Sequence, residues 1–201
     1  MCSRFEINLT PRDIFKRLGL IGDPEAFQTI VPRIEVRPTD SIIAIMPSGP
    51  VAMRWGWEVS FSPRPMINAR SETLTEKPTF RDYLQNRCLI PATAYFEWRT
   101  PEGETKKRRN RIYAKNEPTL LFAGLFNEQD SATIVTSAPL ESIAYIHNRM
   151  PVALTPERAA RWMSDAPFSD ISDILMPNPT INFAATEDVP PPPKQGDLFA
   201  S

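Results

Sequence analysis

The second residue of the chain could do chemistry that an internal cysteine cannot. Cys2 follows the initiator Met1, which is normally removed when the next side chain is small. Removal leaves a 1,2-aminothiol, whose amine has a pKa of about 7.7–8.0 and whose thiol has a pKa of about 8.5. Such a group condenses with an aldehyde to an imine and then closes a five-membered thiazolidine ring through sulfur. The alternative, a small residue in an unstructured terminus, stays open at this stage.

Two further side chains could move protons. His147 is the only histidine of the chain and is followed by an amide and a guanidinium side chain, so a neutral imidazole could shuttle protons there. Glu97 lies in the apolar segment 94–98, where alternation places it on the face of Tyr95. A carboxylate held against aromatic surface gains a raised pKa, which suits a general acid. An ordinary histidine and a solvent-facing glutamate on an edge strand are the alternatives.

Several segments have the composition of a nucleic-acid contact. Residues 66–73 concentrate side chains that bind phosphate or sugar oxygens, and Trp55 and Trp57 could stack on bases. The basic run 106–115 could supply phosphate contacts. The alternatives are a polar loop for residues 66–73, one face of a core for the two tryptophans, and a solvated hairpin for the basic run. Cys88 lies in an apolar segment and is interpreted as a buried strand residue, not a nucleophile.

Composition excludes several classes of protein. The 201 residues carry 23 basic and 24 acidic side chains, which argues against coating nucleic acid through overall charge and leaves only a local basic patch. Two cysteines give no disulfide framework and no zinc-site spacing, so we predict a reducing cytoplasm, no metal and no cofactor. The longest apolar run, 120–126, is far shorter than the roughly 18 residues of a membrane span, so we expect no membrane insertion.

Periodicity predicts a mixed α+β fold in one domain, residues 1–187. Short β-branched and aromatic runs separated by turn residues predict strands at 41–46, 51–57, 87–90, 94–98, 111–115, 120–126 and 132–136. Helical spacing, with Thr10 as cap and Gly19 as stop for the first helix, predicts helices at 11–18, 79–85, 142–146, 156–163 and 169–175. Because strands and helices do not alternate regularly, a doubly wound sheet is disfavoured.

The last 14 residues, 188–201, have a different composition. Pro190–Pro193 form an uninterrupted proline run, which favours an extended spacer and cannot enter a sheet interior. An apolar pair, Leu198 and Phe199, follows near the terminus. A frayed, flexible tail is the simpler interpretation.

Five blocks of sequence occur in the order found in the SOS response-associated peptidase (SRAP) family, which the chain resembles over about residues 1–165. The blocks are Met1-Cys2-Ser3-Arg4-Phe5, Asn68-Ala69-Arg70-Ser71-Glu72-Thr73, Cys88-Leu89-Ile90-Pro91-Ala92 running to Phe96-Glu97-Trp98, Ala123-Gly124-Leu125-Phe126 and His147-Asn148-Arg149-Met150-Pro151. The resemblance implies a compact α+β domain built on a β-barrel-like pair of mainly antiparallel sheets with peripheral helices. It also implies a monomer with a cleft for single-stranded DNA.

The resemblance also implies a reaction and the residues that carry it. Family members cross-link their N-terminal cysteine to the open-chain aldehyde of an abasic site and remove whatever precedes that cysteine. Cys2 would be the nucleophile, Asn68 would position its amine, Glu97 would be the acid and base, and His147 would act at the sugar oxygen and in reversal. The implied DNA contacts are phosphate binding by Arg4, Arg70 and Arg149 and base stacking by Trp55 with Phe61 or Trp98.

The chain departs from the family pattern at several positions outside the four catalytic ones. Ser3 replaces the usual glycine, Glu35 replaces the usual asparagine before Pro38-Thr39, and the segment after Trp55-Gly56 differs. These changes affect the turn after the nucleophile and the details of base stacking.

The tail carries a second resemblance. The segment 195–199 is similar to the Gln-x-x-Leu-Phe peptide with which bacterial proteins dock on the β sliding clamp. This predicts a docking role for Gln195, Leu198 and Phe199.

Two other functions remain open on the sequence alone. A cysteine hydrolase would pair a cysteine with His147, and a non-covalent single-stranded DNA binding module would not need Cys2.

Overall fold

Antiparallel strands dominate the structure, a computed structural model that describes residues 2–188. The strands are β1 (Arg4–Ile7), β2 (Arg33–Val36), β3 (Ser41–Met46), β4 (Gly49–Trp55), β5 (Trp57–Val59), β6 (Ser62–Met66), β7 (Asn68–Arg70), β8 (Arg87–Ala92), β9 (Ala94–Arg99), β10 (Arg108–Ala114), β11 (Leu120–Phe126), β12 (Ser131–Ser137), β13 (Met150–Pro151), β14 (Ala153–Leu154) and β15 (Phe183–Glu187). The proline run and the predicted clamp-docking residues Gln195, Leu198 and Phe199 lie outside the described residues.

The helices are short and lie between strands. They are α1 (Pro11–Leu18), α2 (Pro78–Arg81), α3 (Glu141–Ala144), α4 (Pro156–Trp162) and α5 (Phe168–Ile171), with 3₁₀ turns at Pro24–Phe27, Ser71–Thr73 and Ser172–Leu175. Within residues 2–188, no helix has the length and apolar character needed to cross a membrane.

Two large sheets form the core of the fold. One is a five-stranded sheet in the order β15-β10-β9-β1-β2. In the other, β12 pairs with β4 and also with β11, so that β12, β4, β3, β8 and β11 close a ring of five strands. Among the strands of residues 2–188, only the pairings of β12 with β4 and with β7 are parallel. The expected α+β class with a β-barrel-like pair of mainly antiparallel sheets is therefore confirmed.

The first helix follows the capping rules that predicted it. The Thr10 hydroxyl accepts a hydrogen bond from the backbone N–H of Asp13, which satisfies one of the free donors at the helix start. Gly19 ends the helix in the left-handed conformation at φ 62°, and its N–H donates to the Phe15 carbonyl. The helix predicted at 79–85 is shorter, because α2 ends at Arg81 and a turn follows.

Strand β9 is an interior strand and holds Glu97 away from water. It pairs with β10 on one side and with β1 on the other, where Phe5 lies opposite Tyr95. Glu97 is only 3% exposed as a result, so the alternative of a solvent-facing glutamate on an edge strand is wrong. Strand β1 and its pairing with β9 bring the N-terminal residues to Glu97.

The second cysteine belongs to the core. Cys88 lies on β8, is fully buried, and its carbonyl accepts a hydrogen bond from Trp162 Nε1 at 3.1 Å. Burial raises the pKa of its thiol to about 12, so the side chain stays protonated and unreactive near neutral pH. This confirms the interpretation of Cys88 as a buried strand residue.

Candidate functional site

Cys2 is buried just before the start of β1. The residue is 0% exposed, and its thiol donates a weak hydrogen bond to the Arg4 carbonyl at 3.4 Å. Burial raises the pKa of the Cys2 thiol well above its usual range. The thiol is therefore neutral at physiological pH and needs a proton acceptor before the sulfur can act as a nucleophile. The alternative of a residue in an unstructured terminus is wrong.

Asn68 fixes the backbone of Cys2. Its Nδ2 donates to the Cys2 carbonyl at 2.8 Å across 66 residues of sequence. The Asn68 Oδ1 atom is buried and accepts no hydrogen bond within residues 2–188. A buried amide oxygen without a donor is costly, and this acceptor suits an N–H group arriving beside Cys2.

Glu97 and His147 come together in the folded chain. Glu97 Oε2 lies 3.8 Å from His147 Nε2. Burial raises the pKa of Glu97 from 4.5 to about 7, and burial lowers the pKa of His147. Near neutral pH the carboxyl group is therefore about half protonated while the imidazole is neutral. Such a pair can give and take a proton without a large change in pH.

The tautomer of His147 follows from its backbone contacts. The Arg149 N–H donates to His147 Nδ1 at 3.0 Å, so in the neutral ring Nδ1 is the acceptor and the proton is on Nε2. Nε2 is the nitrogen that faces Glu97. When the ring is protonated, Nδ1–H can donate instead to the Arg149 carbonyl at 3.3 Å. The loop therefore orients the ring in both protonation states.

An open cleft adjoins Asn68. It has a volume of about 460 Å³ and combines apolar walls with two cations. The lining residues are Phe61, Met66, Asn68, Arg70, Thr73, Lys77, Thr79 and Phe80. Phe61 is 70% exposed, and Arg70 makes no side-chain hydrogen bond or ion pair within residues 2–188. The cleft can hold a flat apolar group and a phosphate side by side.

The structure corrects the prediction of base stacking for two aromatic residues, since Trp57 is 2% exposed and packs against Phe80 and Tyr83, and Trp55 is buried as well. Trp55 is 0% exposed, its Nε1 donates to the Ile67 carbonyl at 3.0 Å, and its ring packs edge-on against Phe5 at 5.0 Å. It cannot stack on a base, because both of its faces belong to the core. Trp98 is half-buried, and Phe61 has the more exposed ring.

The three arginines predicted to bind phosphate lie in different surroundings. Arg70 faces the cleft. Arg4 lies opposite Phe96 in the sheet register, which places it on the face that Glu97 does not share, and its Nε lies 3.5 Å from Glu35. Both terminal nitrogens of Arg149 are hydrogen-bonded to Glu72. The structure thus brings Arg70 to the cleft beside Asn68 and leaves the other two in ion pairs.

The three arginines of the basic run 106–115, Arg108, Arg109 and Arg111, are matched by acidic partners. Arg109 pairs with Glu35 and Asp188, and Arg111 makes two hydrogen bonds to Glu6. The charges of β10 are therefore largely balanced within the five-stranded sheet, as expected for an ion-pair network on a solvated face.

One polar group of the site, the Tyr95 hydroxyl, was not predicted from the sequence. The Tyr95 hydroxyl is fully buried and has no hydrogen-bond partner within residues 2–188. Burial, followed by the charges of Cys2 and Glu97, raises its pKa further above its ordinary value. Tyr95 shares the face of Glu97 by alternation, which was the available signal. Its hydroxyl is therefore a neutral hydrogen-bond donor near Cys2 and Glu97.

Comparison with known proteins gives this site a context. A family model described as SOS response associated peptidase (SRAP) matches residues 1–188. The chain is 34% identical over 186 residues to the abasic site processing protein YoqW of Bacillus subtilis, covering 82% of this chain and 80% of that protein. It is 30% identical over 184 residues to the abasic site processing protein YedK of Escherichia coli, covering 81% and 79%.

The fold is also similar to that of solved structures. A crystal structure of a protein from Bacteroides thetaiotaomicron superposes with a TM-score of 0.81 at 26% identity, covering 92% of this chain and 91% of that one. With the family match over residues 1–188 and a relative above 30% identity across most of both chains, the chain belongs to the SRAP family.

Proposed function

We propose that the protein shields abasic sites in single-stranded DNA by forming a thiazolidine between Cys2 and the sugar aldehyde once Met1 has been removed. The observation that supports this most is the enclosure of Cys2 beside Asn68 and the Glu97–His147 pair. An aldehyde that enters this site meets an amine, a thiol and two groups able to move protons.

The reaction needs no oxidant or cofactor. The α-amine of Cys2 adds to the aldehyde carbon, and the resulting carbinolamine loses water to give an imine. The sulfur then attacks the imine carbon, a C–S bond forms, the C=N electron pair moves to nitrogen, and the thiol proton ends on that nitrogen. The product is a five-membered ring that holds the protein on the DNA.

Glu97 and His147 have complementary tasks in these steps. With a pKa of about 7, Glu97 can protonate the departing hydroxyl and later accept the thiol proton. The neutral His147 donates through Nε2–H to a sugar oxygen or to the carboxylate of Glu97. Asn68 Oδ1 accepts from the amine of Cys2 and holds its lone pair toward the aldehyde.

The cleft beside Asn68 is proposed to hold the unpaired strand. Phe61 offers a ring to a base, while Arg70 and Lys77 face its backbone phosphates. A basic cleft of this size explains how a chain of net charge −1 binds DNA. The proposed partner is single-stranded DNA that contains an abasic site, the lesion named for the relatives.

Two other functions are less well supported. In a cysteine hydrolase the catalytic thiol has a lowered pKa, whereas burial raises that of Cys2. A purely non-covalent DNA-binding module gives no reason for the enclosed Cys2 or for Asn68 to bind its carbonyl.

A denaturing gel tests the proposal. We expect the protein to form a band of reduced mobility with single-stranded DNA that carries one abasic site, and none with intact DNA of the same sequence. Mass spectrometry of the purified protein should show the loss of Met1. An unshifted abasic strand, or a shift that persists when Met1 is retained by an uncleaved N-terminal tag, would overturn the proposal.

A further prediction concerns Glu35, which stands where the family usually has asparagine. Glu35 lies within ion-pair distance of Arg4, Arg37 and Arg109 and so competes with phosphate for Arg4. Replacing Glu35 with Gln should tighten binding to intact single-stranded DNA and steepen its salt dependence by about one phosphate contact. Fluorescence anisotropy at several salt concentrations measures both quantities.

The control for Glu35→Gln is Glu25→Gln, which also removes a glutamate paired with an arginine, Arg12, but near helix α1. If the two substitutions change DNA affinity equally, net charge alone accounts for the effect. Arg4 would then have no role in phosphate binding.

We also propose that the segment 195–199 docks on the β sliding clamp, an inference from sequence alone. Deleting residues 195–201 should abolish retention on immobilised clamp, while changing Gln195 to Ala should weaken it, because the glutamine bonds only the rim of the pocket. Cross-linking to abasic DNA should be unchanged by either. Equal retention of the full and shortened chains would refute this role for the tail.

A further inference from the structure

A bidentate ion pair joins the loop after α3, which carries His147 and Arg149, to the 3₁₀ turn Ser71–Thr73 that follows strand β7. Arg149 Nη1 lies 2.6 Å from Glu72 Oε1, and Arg149 Nη2 lies 2.9 Å from Glu72 Oε2. This planar, bidentate geometry is the strongest form of an arginine–carboxylate contact. The arginine side chain is only 13% exposed, against 50% for the glutamate, so water screens the pair on one side only.

The same arginine is fixed from a second direction. Its Nη2 also donates to the Thr136 carbonyl at 2.6 Å, and Thr136 lies on β12, where it pairs with Arg70 of β7. Glu72 lies just beyond β7, in the 3₁₀ turn Ser71–Thr73. The guanidinium therefore ties the loop after α3 to the strand that carries Asn68.

The backbone of Arg149 sets the ring of His147. Its N–H donates to His147 Nδ1 at 3.0 Å, which leaves Nε2 with the proton and directed at Glu97, 3.8 Å away. The position of this N–H depends on the path of the loop, and the loop is held where the Arg149 side chain is anchored. Glu72 is thus connected to the reacting groups through two residues, first Arg149 and then His147.

We infer that Glu72 is a positioning residue for His147, acting through the side chain and the backbone N–H of Arg149. This inference deepens the proposed function, and its predicted effect on the cross-linking rate rests on that function. It also gives Arg149 a structural task, because its guanidinium contacts Glu72 and the Thr136 carbonyl and so anchors the loop. Arg70 is the arginine that lines the cleft beside Asn68.

Because the chain has a single histidine, one experiment measures the link directly. In protein labelled with ¹⁵N-histidine and free of DNA, every imidazole signal comes from His147. In the wild type we expect a single neutral tautomer with an unprotonated, hydrogen-bonded Nδ1. In Glu72→Gln, which removes the charge and keeps the shape, the two nitrogen shifts should move toward each other as the tautomers mix.

The matched control is Glu76→Gln, an exposed glutamate four residues further along the same segment. It should leave the imidazole signals unchanged. Arg149→Lys, which keeps the charge but loses the bidentate contact, should reproduce the effect of Glu72→Gln. The double variant should be no worse than either single one, because both substitutions break the same link.

Kinetics distinguish positioning from DNA binding. Glu72→Gln should slow cross-linking by as much as about 100-fold, since misplacing a catalytic group by about 1 Å costs that order, with equilibrium affinity for intact single-stranded DNA unchanged. Tighter DNA binding with unaltered His147 signals would show that Glu72 merely masks a phosphate-binding arginine and would overturn the inference. The DNA-free spectra decide the matter even if the protein forms no cross-link at all.

Discussion

Cys2→Ser is expected to abolish the gel-stable cross-link and to leave an imine that only a chemical reductant can trap. The serine amine still condenses with the aldehyde, but a hydroxyl adds to an imine far less readily than a thiol, so the ring does not persist. We expect the yield of stable adduct to fall by more than about 1,000-fold, the scale seen when a nucleophile is removed. Quantified denaturing gels, run with and without cyanoborohydride, measure the two species.

Cys2→Ala gives the same result for a related reason, since it also keeps the amine and lacks the sulfur. The matched control is Cys88→Ala, which removes the other, buried thiol and should leave the yield unchanged while lowering stability by a cavity cost. A stable adduct in Cys2→Ser, formed without reductant, would mean that the imine alone accounts for the cross-link. If folded Cys88→Ala protein formed no adduct, the reacting thiol would be that of Cys88 and not that of Cys2.

The reactive residues of this site could be predicted from the sequence more readily than the strands and contacts that position them. The N-terminal position of Cys2 and the alternation around Glu97 are local signals, and alternation correctly placed Tyr95 and Glu97 together. Strand β1, in contrast, was not predicted, because its four residues are too few to show a period. Without β1, the sequence does not show that β9 is an interior strand.

Longer-range features leave no local signal at all. Glu72 and Arg149 are 77 residues apart, and each reads as an ordinary charged residue. Trp55 was misjudged because periodicity cannot tell which face of a strand meets the core when both faces carry large side chains. The closed ring through β11 and β12 is likewise a property of pairing, and pairing is decided by packing between distant segments.

Glu97→Gln should slow cross-link formation by about 100- to 10,000-fold, the usual contribution of a positioned acid or base. The substitution keeps the size of the side chain and removes only its ability to exchange a proton. In the wild type the rate should change around pH 7, where Glu97 titrates, and that inflection should vanish in the variant. Single-turnover rates on abasic single-stranded DNA between pH 5 and about 9 measure both effects.

The matched control is Glu102→Gln, an exposed carboxylate a few residues beyond β9. It should keep both the rate and the pH profile of the wild type. A Glu97→Gln variant with an unchanged rate would remove Glu97 from the mechanism, while a slower rate with the inflection at pH 7 intact would assign that titration to another group.

The same substitution should make the protein more stable, and the sign follows from the pKa. Burial raises the pKa of Glu97 from 4.5 in the unfolded chain to about 7 in the folded one, so the folded state binds the proton more tightly. Below pH 4.5 both states are protonated and there is no penalty. As the pH rises to 7 and beyond, the wild type must ionise a buried carboxyl group, and its free energy of unfolding falls relative to the variant by up to about 3 kcal/mol.

Urea unfolding of both proteins at pH 4, 6 and about 8 measures this difference. We expect the two stabilities to be equal at the lowest pH and Glu97→Gln to be the more stable protein at the highest. A structural glutamate would behave in the opposite way, because its replacement would cost stability at every pH. A variant that gains stability and loses the reaction would show that the buried carboxyl group of Glu97 lowers stability and is needed for proton transfer.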